Sequence, residues 1–541
     1  MRFSLRISAL LICLVFLACL DLAANGQIAV DKMAPAQTFE PGLDGLSDTG
    51  LDSALWQGTS AARAGRLLSR VTGQLNPPAR DLIKTVIFSG GVPPKAASRQ
   101  SYQDWQAARL DLVLRLGELQ AFDALLAKTE AQDISPNPAL LKVRFERAVL
   151  GGDVKQACVL ADQNRLNRKA PFWAKARGFC HLMRGEIPAA ELTLDLLERD
   201  GVKDPAYKAL MNRLLGAKNK VRNLKVKTPM QMALLRHIFR QDKALYKAWP
   251  VRALPPVLAK ETLETTIDDK HKLEALKQAA PVLDVNTLKA VLVHFAGGVK
   301  TETPAANLKA KSWDSALWGA AWTQAHTASD KALQANAIAA LLRQARRFGF
   351  EGVMAEALND EIATLSNEIK SQTDARSFAR LAVLHSDIPA LQGLFAALPE
   401  DDPERARIAL ASDALGGGFM LGGLGVDIKA RLAEKTGRAR AMRDAYIASA
   451  LGARIDAEAE DILLRARPGG KRAPAGALLL LQDAAARSAR AETLLRAGLI
   501  FNTVPPARLP SDDFGLILRT LMAAGLTKQA GQIAALDYLT P

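Results

Sequence analysis

The sequence predicts an all-α fold, and three observations lead there. Ala and Leu are the commonest residues and aromatic residues make up only 5% of the 541 positions, a composition of strong helix formers. Beyond residue 52 the apolar positions recur at helical spacing, with few alternating stretches of strand type. Glycine-centred breaks recur at Gly117, Gly152 and Gly185, at intervals of 35 and 33 residues. A hydrophobic share of 49% supports a large buried core and excludes a wholly disordered chain. Four cysteines in this length exclude a disulfide-dense mini-scaffold and a multi-zinc protein.

The N-terminus reads as an export signal over residues 1–26. Arg2 and Arg6 precede an apolar run of twelve residues, Ala9 to Leu20, which Asp21 ends. Such a run is too short to cross a bilayer, which takes about 20 residues. Ala24 and Gly26 put small residues at the two positions a signal peptidase inspects, so cleavage before Gln27 is expected. The alternatives are lipidation at Cys19, against which Phe16 stands where an aliphatic residue is usual, and an uncleaved anchor. No later run is long and apolar enough to span a membrane, so the mature chain is expected to be soluble, exported and periplasmic. Residues 27–50, with Pro35 and Pro41 and no sustained period, read as a flexible leader.

From there the pattern is helix, tight turn, helix. Leu110, Leu112, Val113, Leu116 and Leu119 share one stripe, Gly117-Glu118 interrupts it, and Phe122, Leu125 and Leu126 begin the next. The same punctuation returns at Gly152-Asp153 and Gly185-Glu186, and weaker echoes fall at Asp387-Ile388-Pro389-Ala390 and Gly525-Leu526-Thr527. Glycine ends a helix in a left-handed conformation, and the acidic residue favours the start of the following helix. A pentapeptide, Asp-Ser-Ala-Leu-Trp, occurs at Asp52–Trp56 and at Asp314–Trp318. It is expected to open a helix at each place, marking N-terminal (51–300) and C-terminal (301–541) helical halves that meet near Gly297-Gly298. A loop is expected at Arg467–Pro474.

The 33–35-residue period, with Trp173, Gly185 and Ala190 at its large, glycine and small positions, resembles the tetratricopeptide (TPR) repeat over about residues 105 to 205. That resemblance implies an α-solenoid, a superhelical array of antiparallel helix hairpins whose concave face binds protein. It implies no reaction. A non-repetitive helical bundle is the alternative. Under the repeat reading, Cys158 lies early in the second helix of one hairpin and Cys180 in the first helix of the next. In an oxidising compartment they are expected to pair as a disulfide. Two free core thiols, or a redox or metal site, are the alternatives, although there is no CxxC and only His181 is adjacent.

Other chemistry is sparse. Gly416–Gly425 is glycine-rich but lacks a Gly-Lys-Ser/Thr ending and a preceding strand, so it reads as an interhelical turn and not a phosphate cradle. The histidines, His181, His237, His271, His294, His326 and His385, form no HExxH and no ligand-spaced pair. No GxSxG elbow or acid/base carboxylate pair is visible. No catalytic residue, cofactor or metal is therefore expected.

Charge is unevenly spread. Residues 203–252 hold 13 Lys and Arg against Asp204 and Asp242, a net +11. The densest stretch is Lys218, Lys220, Arg222, Lys225 and Lys227. Outside the cytoplasm nucleic acid is not the expected partner; lipid headgroups, lipopolysaccharide phosphates or an acidic protein are. The bland reading is a solvated basic face. The sequence favours a non-enzymatic scaffold or assembly factor that binds protein partners in the cell envelope. A module holding anionic lipid or lipopolysaccharide through the basic segment is the alternative. A lytic-transglycosylase-like enzyme ranks third, because no catalytic Glu with its Gly-Leu-Met-Gln-type stretch is found.

Overall fold

A computed structural model of the chain describes residues 42–43, 51, 53–72, 75–130, 138–164, 170–218, 221, 224–264, 268–297, 308, 310, 312–417, 428, 431–432, 437–454, 457–465 and 469–540. The expected export signal lies outside them, as does the leader apart from Gly42 and Leu43. Among the described residues there are 27 α-helices. The extended contact there is a single bridge between Ser60 and Lys95. No helix of the described residues is long and apolar enough to cross a membrane.

In chain order the first helices are α1 (Ala61–Arg70), α2 (Pro77–Phe88), α3 (Arg99–Arg115), α4 (Leu119–Glu130), α5 (Pro138–Leu150), α6 (Val154–Gln163), α7 (Pro171–Met183), α8 (Ile187–Arg199), α9 (Pro205–Leu214), α10 (Pro229–Gln241) and α11 (Lys243–Ala248). Then come α12 (Pro256–Leu263), α13 (Asp269–Ala279), α14 (Val285–Ala296), α15 (Ser315–Thr327), α16 (Lys331–Phe348), α17 (Glu351–Ala357), α18 (Asn359–Ala363), α19 (Asn367–Leu384), α20 (Ile388–Ala397) and α21 (Pro403–Ala414). The last six are α22 (Arg438–Ala450), α23 (Ala457–Arg465), α24 (Ala475–Ala486), α25 (Arg490–Thr503), α26 (Ser511–Ala523) and α27 (Thr527–Tyr538).

Many starts are written in the sequence as a short polar residue ahead of the first turn. Asn76, Asp204, Thr228 and Asp402 each cap a helix whose next residue is proline. There the side chain accepts an otherwise orphaned backbone N–H, and the missing proline donor costs nothing. Asp314 does the same for α15, accepting from the Leu317 amide at 2.9 Å, as expected for the second Asp-Ser-Ala-Leu-Trp.

The first copy behaves differently. Around Ala54–Gln57 the chain forms a turn, with the Gln57 amide donating to Ala54 O at 2.8 Å, and α1 opens later behind Ser60. The expectation of a helix there is corrected. The reason is a competing partner: the Leu55 carbonyl accepts from the Ala491 amide at 2.9 Å, and Arg487 donates to Gly58 O at 2.6 Å. Carbonyl groups here are committed to the first turn of α25 and to the loop ahead of it. Trp56 and Trp318 are nevertheless both buried, as the shared pattern predicts.

The predicted turns share one hydrogen-bond pattern. At Gly117, Gly152 and Gly185 φ is +79, +80 and +77°. In each turn the glycine amide donates three residues back, and the following amide donates five back. At the last turn these bonds are Gly185 N to Leu182 O at 3.0 Å and Glu186 N to His181 O at 2.9 Å. This is the Schellman closure, which satisfies two helix-end carbonyls at once. The echo before Asp387 uses the same closure with Ser386 at φ +55° in the glycine position. A left-handed conformation costs an L-residue about 1–2 kcal/mol, whereas glycine meets no such penalty. Ser386→Gly is accordingly expected to stabilise the protein by about 1 kcal/mol, and Gly185→Ala, where an added Cβ meets no neighbour, to destabilise it by a similar amount. Urea-unfolding midpoints moving in opposite directions would bear this out, and a fall with Ser386→Gly would refute it.

Sequential helices pack as neighbours: α5 on α6, α6 on α7, α7 on α8, α15 on α16, and α19 on α20. Longer-range contacts bring the first helices against the C-terminal part of the described chain, because α2 and α1 both pack against α25. Gly498 permits close approach there, since a Cβ on it would sit 3.0 Å from Ile83 Cγ1. Asn76 bridges the same junction. Its side chain donates to Phe501 O at 2.6 Å while its amide donates to Asn502 Oδ1 at 3.1 Å. On either side of residue 300, α14 packs against α15.

Candidate interaction surfaces

The basic segment divides into side chains that build the fold and side chains that face solvent. Asp204, one of its two acids, caps α9 through the Tyr207 amide at 3.0 Å. It also pairs with Lys175 at 2.7 Å and accepts from Gln231 at 2.8 Å. Asp242 caps α11 through the Leu245 amide and meets Arg213 at 3.1 Å. The Leu245 amide foremost, with help from Arg213, holds its carboxyl below the ordinary range. Lys208 pairs with Glu198. Arg236 joins Glu261 at 2.8 Å to the end of α5, donating to Leu150 O at 3.1 Å. Arg213, Arg236 and Lys208 are thus already engaged inside the molecule.

The five residues singled out from sequence fare differently. Lys220 and Arg222 lie outside the described residues. Lys218, Lys225 and Lys227 are exposed on the connection between α9 and α10 and make no ion pair among the described residues. Val221 and Val226 of the same connection are buried, 3% and 7% exposed. The sequence Lys225-Val226-Lys227 therefore alternates out, in, out, so burying the valine presents both ammonium groups to solvent. Trp249 belongs to the core at 2% exposure, edge-on to Phe239 with ring centres 5.4 Å apart.

In the hairpin region, Cys158 on α6 and Cys180 on α7 stand at disulfide distance, with sulfurs 2.08 Å and Cα atoms 5.5 Å apart. Both are buried in the core. Not every apolar residue here is covered. Leu192 and Leu196, one turn apart on α8, are 57% and 44% exposed, and Ile187 at the start of α8 and Val159 on α6 are 38% and 41% exposed. The uncovered apolar groups sit on α6 and α8, the helices that follow the Gly152 and Gly185 turns. The Glu146 carboxyl on α5 is buried. Burial, aided by Asp111 and opposed by Lys142, Arg115 and Lys175, pushes its pKa up to about 7.

Four of the six histidines stand against carboxylates. His181 meets Glu186 at 2.5 Å, His271 meets Asp268 at 2.5 Å, His294 meets Asp269 at 3.0 Å and His326 meets Glu361 at 3.2 Å. Among the described residues no group of three or more His, Cys, Asp or Glu is placed to hold a metal ion. Of the glycine-rich stretch, Gly416 and Gly417 are described. They close α21 in another left-handed turn, with Gly416 at φ +94°, and Gly418–Gly425 lie outside the described residues.

Three cavities stand out. One of 430 Å³ between α21, α22 and α27 is walled by Leu410, Leu415, Leu451 and Met522, with Asp413 and Lys528 at its edge. A second, of 230 Å³, lies between α17, α19 and α20 and includes Lys370 and His385. A third, of 220 Å³, is lined by Arg63, Arg66, Arg70 and Arg496 over Leu67 and Leu480. Sequence reading missed this arginine cleft, because Arg496 is far along the chain from the other three. The local signal was there in Ala61–Arg70, a helix with three arginines and no acid. No protein-family model, curated protein or solved structure matches the chain.

Proposed function

We propose that the chain is a non-enzymatic scaffold or assembly factor of the cell envelope, exported to the periplasm, that binds protein partners along TPR-like hairpins arranged as a superhelix. The observation that carries this reading is the repetition of one helix-closing turn at 33–35-residue intervals. In repeat proteins such units stack side by side and present extended surfaces to partners. The uncovered Leu192 and Leu196 support it, since paired apolar side chains on one helix stripe are what a partner's core contact requires. Exposed Lys218, Lys225 and Lys227 favour an acidic patch on that partner. The same lysines support the second reading, attachment to anionic lipid or lipopolysaccharide.

An in-cell crosslinking pull-down of the tagged, exported protein separates these readings. It is run beside a variant with Lys218, Lys220, Arg222, Lys225 and Lys227 changed to Glu, and a second with Leu192 and Leu196 changed to Ser. The expected result is one protein in near-stoichiometric yield, lost in at least one variant. Recovery of lipid or glycolipid alone, lost on charge reversal and at raised salt, would replace the scaffold reading with the second. Cleavage of peptidoglycan glycan strands by the purified protein would overturn the non-enzymatic reading.

A further inference from the structure

We propose that the cleft between α1 and the α24–α25 pair binds a phosphate group, carried either by a soluble phosphate compound or by an anionic lipid headgroup. Arg63, Arg66 and Arg70 occupy positions i, i+3 and i+7 of α1, so their side chains leave the helix on one face. Arg496 of α25 faces them across the cleft. These four arginines, with Leu67 and Leu480, line a space of 220 Å³, and no carboxylate is among the lining groups.

The carboxylates nearby are already committed. Glu492, whose side chain is fully buried, accepts from Arg63 Nε at 2.8 Å and Arg496 Nε at 2.8 Å, and pairs with Arg487 at 3.2 Å. Asp483 meets Arg63 at 3.3 Å and Arg487 at 3.1 Å. Glu492 and Asp483 therefore act as a keel that fixes Arg63, Arg487 and Arg496 in place. Arg66 and Arg70 are exposed and make no ion pair among the described residues. Five guanidiniums thus face two carboxylates, leaving a local surplus of three positive charges. Guanidinium groups pre-positioned by second partners, with spare N–H donors and an unneutralised charge, suit an oxyanion.

Phosphate fits the arrangement better than a carboxylate. Donors reach the cleft from two helices, and a phosphate group offers more acceptor oxygens, in a tetrahedral arrangement, so that forks from both sides can be served at once. Leu480 and the neighbouring Leu479 of α24 are 41% and 66% exposed. They give the cleft an apolar margin against which an acyl chain would rest, which makes the lipid source a definite arm of the test.

The full-length mature protein is titrated calorimetrically with inorganic pyrophosphate. In parallel it is cosedimented with phosphatidylglycerol vesicles and with phosphatidylcholine vesicles. The comparison protein is Arg66→Gln/Arg70→Gln, whose exposed side chains make no hydrogen bond or ion pair among the described residues, with an unchanged urea midpoint as its control. Wild-type protein should bind pyrophosphate or the anionic vesicles, the double variant at least about tenfold more weakly, and both less at higher salt. Reversal of Lys218, Lys225 and Lys227 should leave this binding unchanged. Pyrophosphate binding identifies a soluble source, and binding of anionic vesicles alone identifies a headgroup. The proposal is overturned if neither probe binds, if the double variant binds as tightly as wild type, or if the lysine reversal removes the binding instead.

Discussion

Replacing Asp537 by Ala should lower the stability of the protein by about 3–5 kcal/mol, the usual effect of removing one member of a buried ion pair. Asp537 on α27 and Arg443 on α22 are 6% and 9% exposed. They meet side-on, with Arg443 Nη2 at 2.6 Å from Oδ2 and Nε at 2.8 Å from Oδ1. The remaining guanidinium donors reach Leu509 O at 2.9 Å and Pro506 O at 2.8 Å in the connection before α26, and the group lies 4.3 Å over the Phe514 ring. One arginine therefore ties α22, α26 and α27 together, and α26 packs on both of the others. Without Asp537 the guanidinium keeps its two carbonyls but loses its counter-charge in a site water does not reach. Arg443→Ala should be comparably damaging, although Arg440, 3.4 Å from Asp537 Oδ1, leaves the carboxylate a partial partner. The decisive comparison is Arg443→Met/Asp537→Leu. Because a pair replaced by apolar groups is spared the desolvation penalty, the double variant should be more stable than either single one. Single variants with urea midpoints within about 1 kcal/mol of wild type would show that the pair does not hold this corner of the fold.

Local features of the structure were legible and long-range ones were not. A turn at Gly117, Gly152 or Gly185 is dictated by a few adjacent residues, so a sequence reader sees all of its causes. The same holds for Asp314 as a helix cap. The arginines gave no such warning. Arg443 contacts Asp537, and Arg63 contacts Glu492, across separations of 94 and 429 residues, and no local pattern reveals which charge will meet which. The first Asp-Ser-Ala-Leu-Trp shows the same limit from the other side. Its residues are suited to opening a helix, yet Leu55 bonds to the first turn of α25 and the following Gly58 to the loop ahead of it, and tertiary hydrogen bonds override a local preference. Ser386 is a different case. The Asp387-Ile388-Pro389 echo was visible, but only the backbone shows that serine occupies the left-handed position that glycine fills elsewhere. In the basic segment the count of 13 cations was correct and their availability was not readable. Lys208, Arg213 and Arg236 are occupied by Glu198, Asp242 and Glu261, acids that stand both inside and outside the counted window.

Reduction of the Cys158–Cys180 pair is expected to remove about 3 kcal/mol of stability, the chain-entropy value for closing a loop of this length. The cysteines are 22 residues apart in sequence and join α6 to α7, so the bond links the hairpin α5–α6 to α7–α8. A double change to Ala should do somewhat more harm, because cysteines 3% and 2% exposed also fill space in the core. Urea midpoints of the protein lacking residues 1–26, with and without reductant, measure the first effect, and the double variant without reductant measures the sum. In the oxidised, denatured protein lacking residues 1–26, and so without Cys13 and Cys19, no thiol should react with a thiol reagent, and two should react after reduction. Uptake of two equivalents before reduction would refute the pairing, and an unchanged midpoint after complete reduction would refute its contribution. The result also bears on where the chain folds. If α6 and α7 hold together fully only when bonded, folding in a reducing cytoplasm would lack one of the ties between successive hairpins. The stable form would then arise after export, in an oxidising space where structural disulfides persist. If instead the reduced protein loses nothing, the bond gives no support to an extracytoplasmic site of folding, and the proposed export would rest on the sequence expectation for residues 1–26 alone.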